Sequence, residues 1–303
     1  MSARGEGEPR ARFAAIAREI ASQSGTAAAP EPAARVGGGS INECYRWPAD
    51  GRALFVKVAP RAGLVMFEAD TAGLAELARA GALRVPRVSA CGATAAQAFL
   101  ALEWIDAGAA DAACERRLGE GLAALHAVTA PRFGWVRDNT IGRTPQANAW
   151  CEDWTQFFRE RRLRPQLTLA AANGMGALAA AGEQLLAALP ALLDGHAPAA
   201  SLLHGDLWGG NWLAAADGAP VVFDPAVYYG DRETDLAMTR LFGGFGTAFY
   251  RAYESAAPLP PRAAPRAELY KLYHVLNHAN LFGGGYAASA RAMIEALCAQ
   301  AGH

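Results

Sequence analysis

His204-Gly-Asp-Leu-Trp-Gly-Gly-Asn-Trp212 sets a carboxylate, Asp206, five positions before a carboxamide, Asn211. An apolar run, Pro220-Val-Val-Phe, follows and ends in a second carboxylate, Asp224, and then Pro225. Such a run reads as a strand returning the second acid toward the first two groups as a hairpin. Phosphoryl transfer asks for these groups in this order. It needs an anion to orient the attacking alcohol, and amide plus carboxylate oxygens to hold Mg2+ against the phosphates. Asp, Asn and Gly also build ordinary turns, but the amide at the fifth position and the acid closing the strand go beyond turn chemistry. Asp206 is thus the expected base, with Asn211 and Asp224 as the metal ligands.

Upstream residues supply the rest of a nucleotide site. Arg35-Val-Gly-Gly-Gly-Ser-Ile-Asn42 is a glycine-rich loop, in which Gly37, Gly38, Gly39 and Ser40 can cover phosphates with backbone amides. Cys44 to Trp47 reads as a strand, Pro48-Ala-Asp-Gly51 as a hairpin turn, and Arg52-Ala-Leu-Phe-Val-Lys-Val58 as the next strand. Lys57 sits near the end of that strand. The chain holds 28 lysines and arginines, yet only Lys57 and Lys271 are lysine. Where arginine is the default cation, a strand lysine points to a need for a compact ammonium, here one that pairs with phosphates. A glycine cluster alone is also a plain linker; the order of loop, hairpin and lysine carries the reading.

The expected partner of that lysine is an acid on the following helix. Helical spacing over Gly63 to Ala80 sets Met66, Phe67, Leu74 and Leu77 on an apolar stripe. Asp70 lies on the same stripe, whereas Glu68 points about 160° away from it at 100° per residue. Asp70 is the preferred partner and Glu68 the alternative.

Taken together, these stretches resemble the fructosamine kinase (ketosamine 3-kinase) family, related to the aminoglycoside and choline kinases. The likeness is carried by Gly37 to Asn42, Met66 to Glu68, Phe133-Gly-Trp135, Asp138 to Gly142, Trp154 to Phe158 and His204 to Trp212. It continues through Tyr228 to Met238, Leu241-Phe-Gly-Gly-Phe245 and Leu276 to Gly283, covering nearly the whole chain. The resemblance implies an α+β, two-lobed protein-kinase-like fold. Residues 1–103 would form an N-terminal lobe of antiparallel sheet plus helix, and residues 104–303 a larger, mainly helical C-terminal lobe. It also implies ATP-dependent, Mg2+-assisted phosphorylation of the 3-hydroxyl of a ketosamine, the adduct of a sugar on a small amine or a protein lysine. Elimination of the unstable 3-phosphate would then free the amine, a deglycation. Members of bacterial type are assigned to ribulosamine or erythrulosamine rather than fructosamine. In that frame Asp206 accepts or orients the 3-OH proton, Asn211 and Asp224 bind Mg2+, Lys57 holds the nucleotide phosphates, and Asp235 braces the catalytic loop from below. The chain departs from the family pattern at Ser40, where many relatives carry cysteine, and at Asp70, where glutamate is usual. The same scaffold also serves other small alcohols such as aminoglycosides, choline or sugars, and that reading stays open.

The apolar strand Ala98-Phe-Leu-Ala-Leu102 runs into Glu103-Trp-Ile-Asp106. Glu103, Trp104 and Ile105 are expected to form the junction of the lobes and to offer backbone N–H and C=O groups to a purine edge. Candidates for the sugar pocket are Trp208, Trp212, Tyr228, Tyr229, His278, Asn280 and Phe282, since aromatic faces suit sugar C–H surfaces. His126 reads as a packing histidine, and His204 as a residue that orders its loop rather than as a base.

Composition bounds the remainder. At 303 residues the chain suffices for two lobes around a cleft. A formal charge of −1 without a basic excess argues against nucleic acid or an anionic membrane as partner. Arg159-Glu-Arg-Arg-Leu-Arg164 is a local exception, expected to be a solvated face or a rim that greets acidic substrates. Five cysteines without CxxC or zinc spacing, and no signal peptide, read as reduced thiols of a cytoplasmic protein. No apolar stretch approaches a membrane span, and nothing in the composition sets an oligomeric state. The first ten residues are expected to fray before a helix over Ala11 to Ser22, with further helices over Cys114 to Val128, Gly174 to Leu193 and Ala287 to Ala299.

Overall fold

A computed structural model describes residues 7–37 and 42–302. The first lobe comprises α1 (Gly7–Ser24), β1 (Ala34–Val36), β2 (Glu43–Ala49), β3 (Arg52–Pro60), α2 (Leu64–Ala80), β4 (Val88–Ala93) and β5 (Gln97–Glu103). Its strands make one antiparallel sheet in the order β1-β2-β3-β5-β4. Asp50 and Gly51 join β2 to β3 with φ of 43° and 71°, the left-handed pair that Asp-Gly hairpins favour. Helix α1 begins at Gly7, earlier than its hydrophobic periodicity indicates.

Alternation along β3 decides where its lysine goes. Leu54, Val56 and Val58 pack with Ile16, Ile20 and Trp47 on the α1 side of the sheet. Phe55 and Ala59 join Phe67 and Leu74 on the α2 side. A period of two therefore delivers Lys57 to α2. On that helix the buried Phe67 and Leu74 lie one turn to either side of Asp70, so the same packing that docks α2 aims Asp70 at the sheet.

The second lobe begins with α3 (Ala112–His126), whose first turn is capped by Asp111 accepting from the Cys114 N–H at 2.7 Å. There follow β6 (Thr129–Ala130), β7 (Asn139–Ile141), β8 (Thr144–Gln146), α4 (Trp154–Phe157), a π-helical turn (Phe158–Leu163), α5 (Arg164–Ala172) and α6 (Gly176–Leu192). Then come β9 (Ala200–Leu203), β10 (Trp212–Ala214), β11 (Pro220–Val222), β12 (Tyr228–Gly230), α7 (Glu233–Leu241), α8 (Thr247–Ala256), α9 (Ala263–Phe282) and α10 (Gly285–Gln300). Leu118, Leu122, Phe157, Leu185, Leu189, Tyr253 and Leu276 belong to its single continuous core. Helix α3 packs on α8, and α9 on both α7 and α10. An antiparallel sheet with helices, followed by a larger helical lobe, is the architecture expected from the sequence. Among the described residues no helix is long and apolar enough to cross a membrane.

One expectation is overturned. The basic run at 159–164 is not wholly a solvated face, because Arg162 is 0% exposed. The π-helical turn carries it inward, where Nη1 donates to the Ala147 carbonyl and Nη2 to Asn148 Oδ1, each at 2.7 Å. Its guanidinium lies 3.9 Å from the centre of the Tyr228 ring. A weakly hydrated, delocalised cation can exchange water for carbonyls and an aromatic face where an ammonium could not.

Candidate active site

Strand β9 is buried along its whole length and hands the chain to His204, also fully buried. The loop after it leads into the β10–β11 hairpin, in register Trp212↔Val222, and β12 then returns to pair with β9. Asp206 follows β9 and Asp224 follows β11, so this topology brings both acids to one end of the lobe. Gly205 adopts φ of +83°, and a Cβ there would lie 2.1 Å from the Ala226 carbonyl oxygen. Only glycine fits that close approach.

The loop is held from below by Asp235 in the first turn of α7. Its two oxygens accept from the His204 N–H at 2.8 Å and the Gly205 N–H at 2.9 Å. His126 Nε2 lies 3.2 Å from the same carboxylate, and its Nδ1 lies 2.8 Å from the Tyr253 hydroxyl. Burial alone would raise Asp235, but the hydrogen bonds from His126 and the loop amide hold it below the usual carboxylate value. His204 is spent on architecture. The Asp206 N–H donates to its Nδ1 at 3.3 Å, so its Nε2–H donates to the Phe223 carbonyl at 3.0 Å. Burial holds it below the ordinary histidine value. With both ring nitrogens engaged, it has no lone pair left for a substrate proton.

The side chains singled out from sequence meet above this loop. Lys57, 4% exposed, donates from Nζ to Asp70 Oδ2 at 2.6 Å and to Asp224 Oδ1 at 2.5 Å. Asp70, rather than Glu68, is therefore the α2 partner. Burial opposes a charged Lys57, but Asp224 and Asp70 overcome it and raise its value. Burial likewise raises Asp70 in spite of Lys57. Asn211 Nδ2 donates to the Asp206 backbone carbonyl at 2.8 Å and to Asp206 Oδ2 at 3.2 Å. Burial, and then the Asp224 charge, push Asp206 well above the carboxylate range. Asp70 and Asp224 thus share one ammonium, with Asp206 beside them on Asn211, an acid-rich setting that suits a divalent cation. With Asn211 Nδ2 committed to Asp206 and Asp224 Oδ1 to Lys57, Asn211 Oδ1 and Asp224 Oδ2 are the oxygens left for a hard metal.

A cavity of about 560 Å3 opens in front of these groups. Trp208, His278 and Phe282 line it, as do Asn139, Thr140 and Asn277. The β7 segment appeared in the sequence only as part of the family likeness, with no chemical signal of its own. Four other pocket candidates lie elsewhere. Trp212 stacks on Phe245, Tyr228 stacks on Phe157, the Tyr229 hydroxyl donates to Glu76 at 2.8 Å, and Asn280 donates to Gln166 Oε1 at 2.8 Å. Glu103, Trp104 and Ile105, expected to meet a purine edge, lie at the end of β5 and outside the lining of this cavity. Glu103 Oε1 accepts from Arg84 at 2.9 Å, and the Trp104 ring lies 6.4 Å from that of Phe55. Gly37 is exposed at the end of β1, while Gly38, Gly39 and Ser40 lie outside the described residues.

Comparison with known proteins bears on this arrangement. A fructosamine kinase family model matches residues 12–300. A Synechocystis protein named as a ketoamine kinase is 42% identical over 281 residues, covering 92% of this chain and 95% of that one. The chloroplastic protein-ribulosamine 3-kinase of Arabidopsis thaliana is 38% identical over 298 residues, 95% of this chain and 91% of its own. A crystal structure described as a fructosamine-3-kinase from Haemophilus somnus superposes with a TM-score of 0.86 at 28% identity, covering 93% and 96% of the two chains. At 16% identity an aminoglycoside phosphotransferase in complex with AMP-PNP and hygromycin B shares the fold alone, with a TM-score of 0.63 over 95% and 99%. The shared fold is thus the kinase-like one, and the match from the first helix through the last places this chain in the fructosamine kinase family.

Proposed function

We propose that the protein transfers the γ-phosphoryl group of ATP to the 3-hydroxyl of a ketosamine, on a small amine or on a protein lysine. The observation that carries this is the convergence of Asp206, Asn211 and Asp224 beneath the Lys57–Asp70 pair, in the wall of a cavity large enough for a sugar adduct. The names of the relatives support the choice of acceptor, with ribulosamine the first sugar to try. Phosphoryl transfer asks little covalent work of the protein and much positioning. Asp206 takes the 3-OH proton as the oxygen attacks phosphorus. Lys57, fixed between two acids, pairs with the phosphates. Asn211 and Asp224 would hold Mg2+, which supplies charge neutralisation on the phosphates. His204 and Asp235 keep Asp206 in place without touching substrate. Five unpaired cysteines suit a reducing compartment such as the cytoplasm.

The test is ATP consumption with synthetic ribulosyl-, erythrulosyl- and fructosyl-lysine, beside aminoglycosides and choline. Ketosamine-dependent turnover that yields a 3-phosphate supports the reading. Turnover with an aminoglycoside or choline alone would reassign the acceptor while keeping the catalytic loop.

A further inference from the structure

The cavity has an aromatic mouth that phosphoryl transfer itself does not require. Five large hydrophobic side chains are exposed among the described residues, and three of them, Trp208 (36%), Phe242 (39%) and Phe282 (47%), line this one cavity. They come from separate elements: the loop before β10, the end of α7 and the end of α9. His278 ties them together, its ring centre 4.7 Å from Phe242, 5.4 Å from Phe282 and 5.2 Å from Tyr286. Trp208 meets Phe242 edge-on at 6.2 Å. Exposed rings gathered at a polar cleft mark a binding surface rather than leftover core.

We infer that Phe242, Phe282 and His278 form the subsite for the amine half of the ketosamine, selecting substrates whose nitrogen carries an apolar stem. This rests on the proposed ketosamine reading and goes further by assigning the two ends of the substrate. In a ketosamine the acceptor oxygen is on C3 and the nitrogen on C1, so with O3 at Asp206 the amine and the polyol tail leave in opposite directions. The hydroxylated tail suits the Thr140 side of the cavity, where the buried Asn139 and Asn277 amides are held by Gln146, Asn148 and Gln166. The amine must exit through the open side if its other end is a protein, and the open side is the aromatic one. A secondary ammonium is attracted to ring faces, and methylenes gain by covering them. His278 does not oppose that cation. Its Nδ1–H donates to the His274 carbonyl at 2.9 Å, and burial holds the ring below its ordinary value, so it is neutral at pH 7.

Two substrates with the same ketose separate the possibilities: one on the ε-nitrogen of an α-blocked lysine, the other on an unsubstituted amine. The Phe242→Ser/Phe282→Ser double variant should lower kcat/KM for the lysine adduct about tenfold more than for the unsubstituted one, chiefly through KM. Phe282→Leu should restore most of the difference, and thermal unfolding checks that the exposed substitutions leave the fold intact. Equal losses on both substrates would assign the rim to the sugar instead, and no loss on either would make it a bystander; both overturn the inference. Failure of the unmodified enzyme to phosphorylate any ketosamine would remove the underlying reading, and is distinguishable because no ratio could then be formed.

Discussion

Replacing Lys57 with methionine should unsettle the first lobe in a pH-dependent way. The Lys57 side chain is 5% exposed, and its ammonium serves two carboxylates of unequal standing, with side chains exposed by 12% at Asp70 and 41% at Asp224. Water can take over at Asp224. It cannot at Asp70, whose Oδ1 has no hydrogen-bond partner and whose Oδ2 is held by Lys57 alone. Removing one member of a buried pair strands a charge, which costs about 3–5 kcal/mol. At roughly 2 °C per kcal/mol for a chain of this length, Tm should fall by about 6–10 °C. The sign with pH follows from Asp70, which burial already raises above its unfolded value. A carboxylate with a raised folded value binds protons more tightly when folded, so stability grows as pH falls through that window. The deficit should therefore be larger at pH 8 than at pH 5. Lys57→Met/Asp70→Leu, which leaves no buried charge, should recover most of the loss. Differential scanning calorimetry of the three proteins at both pH values decides. A deficit under about 1 kcal/mol, a deficit that grows toward acid, or no recovery in the double variant would refute the reasoning.

Three further outcomes follow from the same geometry. Asp224→Asn should weaken Mg2+-dependent ATP binding by about tenfold or more, read by calorimetric titration with and without the metal; unaltered metal dependence would move the cation elsewhere. Burial lowers His274 to about 3, so the unfolded chain takes up its proton first. Stability then drains as pH falls below about 6.5, amounting to about 2 kcal/mol at pH 5, and His274→Leu should flatten that slope in urea titrations. Gly205→Ala must displace the Ala226 carbonyl, so it should cost at least about 2 kcal/mol and cut turnover together, measured by unfolding and initial rates; wild-type stability would contradict the close approach.

How much of this was legible in the chain depends on how local the cause is. The loop from His204 to Asn211 and the acid at 224 are near neighbours in sequence, so their spacing alone carries the chemistry. Lys57 stood out by contrast with the arginines, and its pairing with Asp70 follows from two periodicities: two residues in β3 and three to four in α2. Arg162 escaped because a run of charges reads as solvent-facing. Only the π-helical turn and the distant Asn148 and Tyr228 reveal its burial. The pocket candidates divided for a similar reason. Trp212 and Tyr228 have the same chemistry as Trp208, and long-range packing alone decides which ring faces the cavity. The wall formed by Asn139 and Thr140 had no chemical signature in a single sequence, since amides and hydroxyls are as common in plain hairpins.

Asp206 handles the attacking hydroxyl and not the nucleotide. Single-turnover phosphorylation of ribulosyl-lysine by Asp206→Asn, measured beside Mg-ATP affinity, addresses it most directly. The rate should be lower by about 10²–10⁴, with nucleotide affinity little changed. A variant that keeps its phosphoryl-transfer rate, or loses rate only in proportion to lost ATP binding, would contradict it.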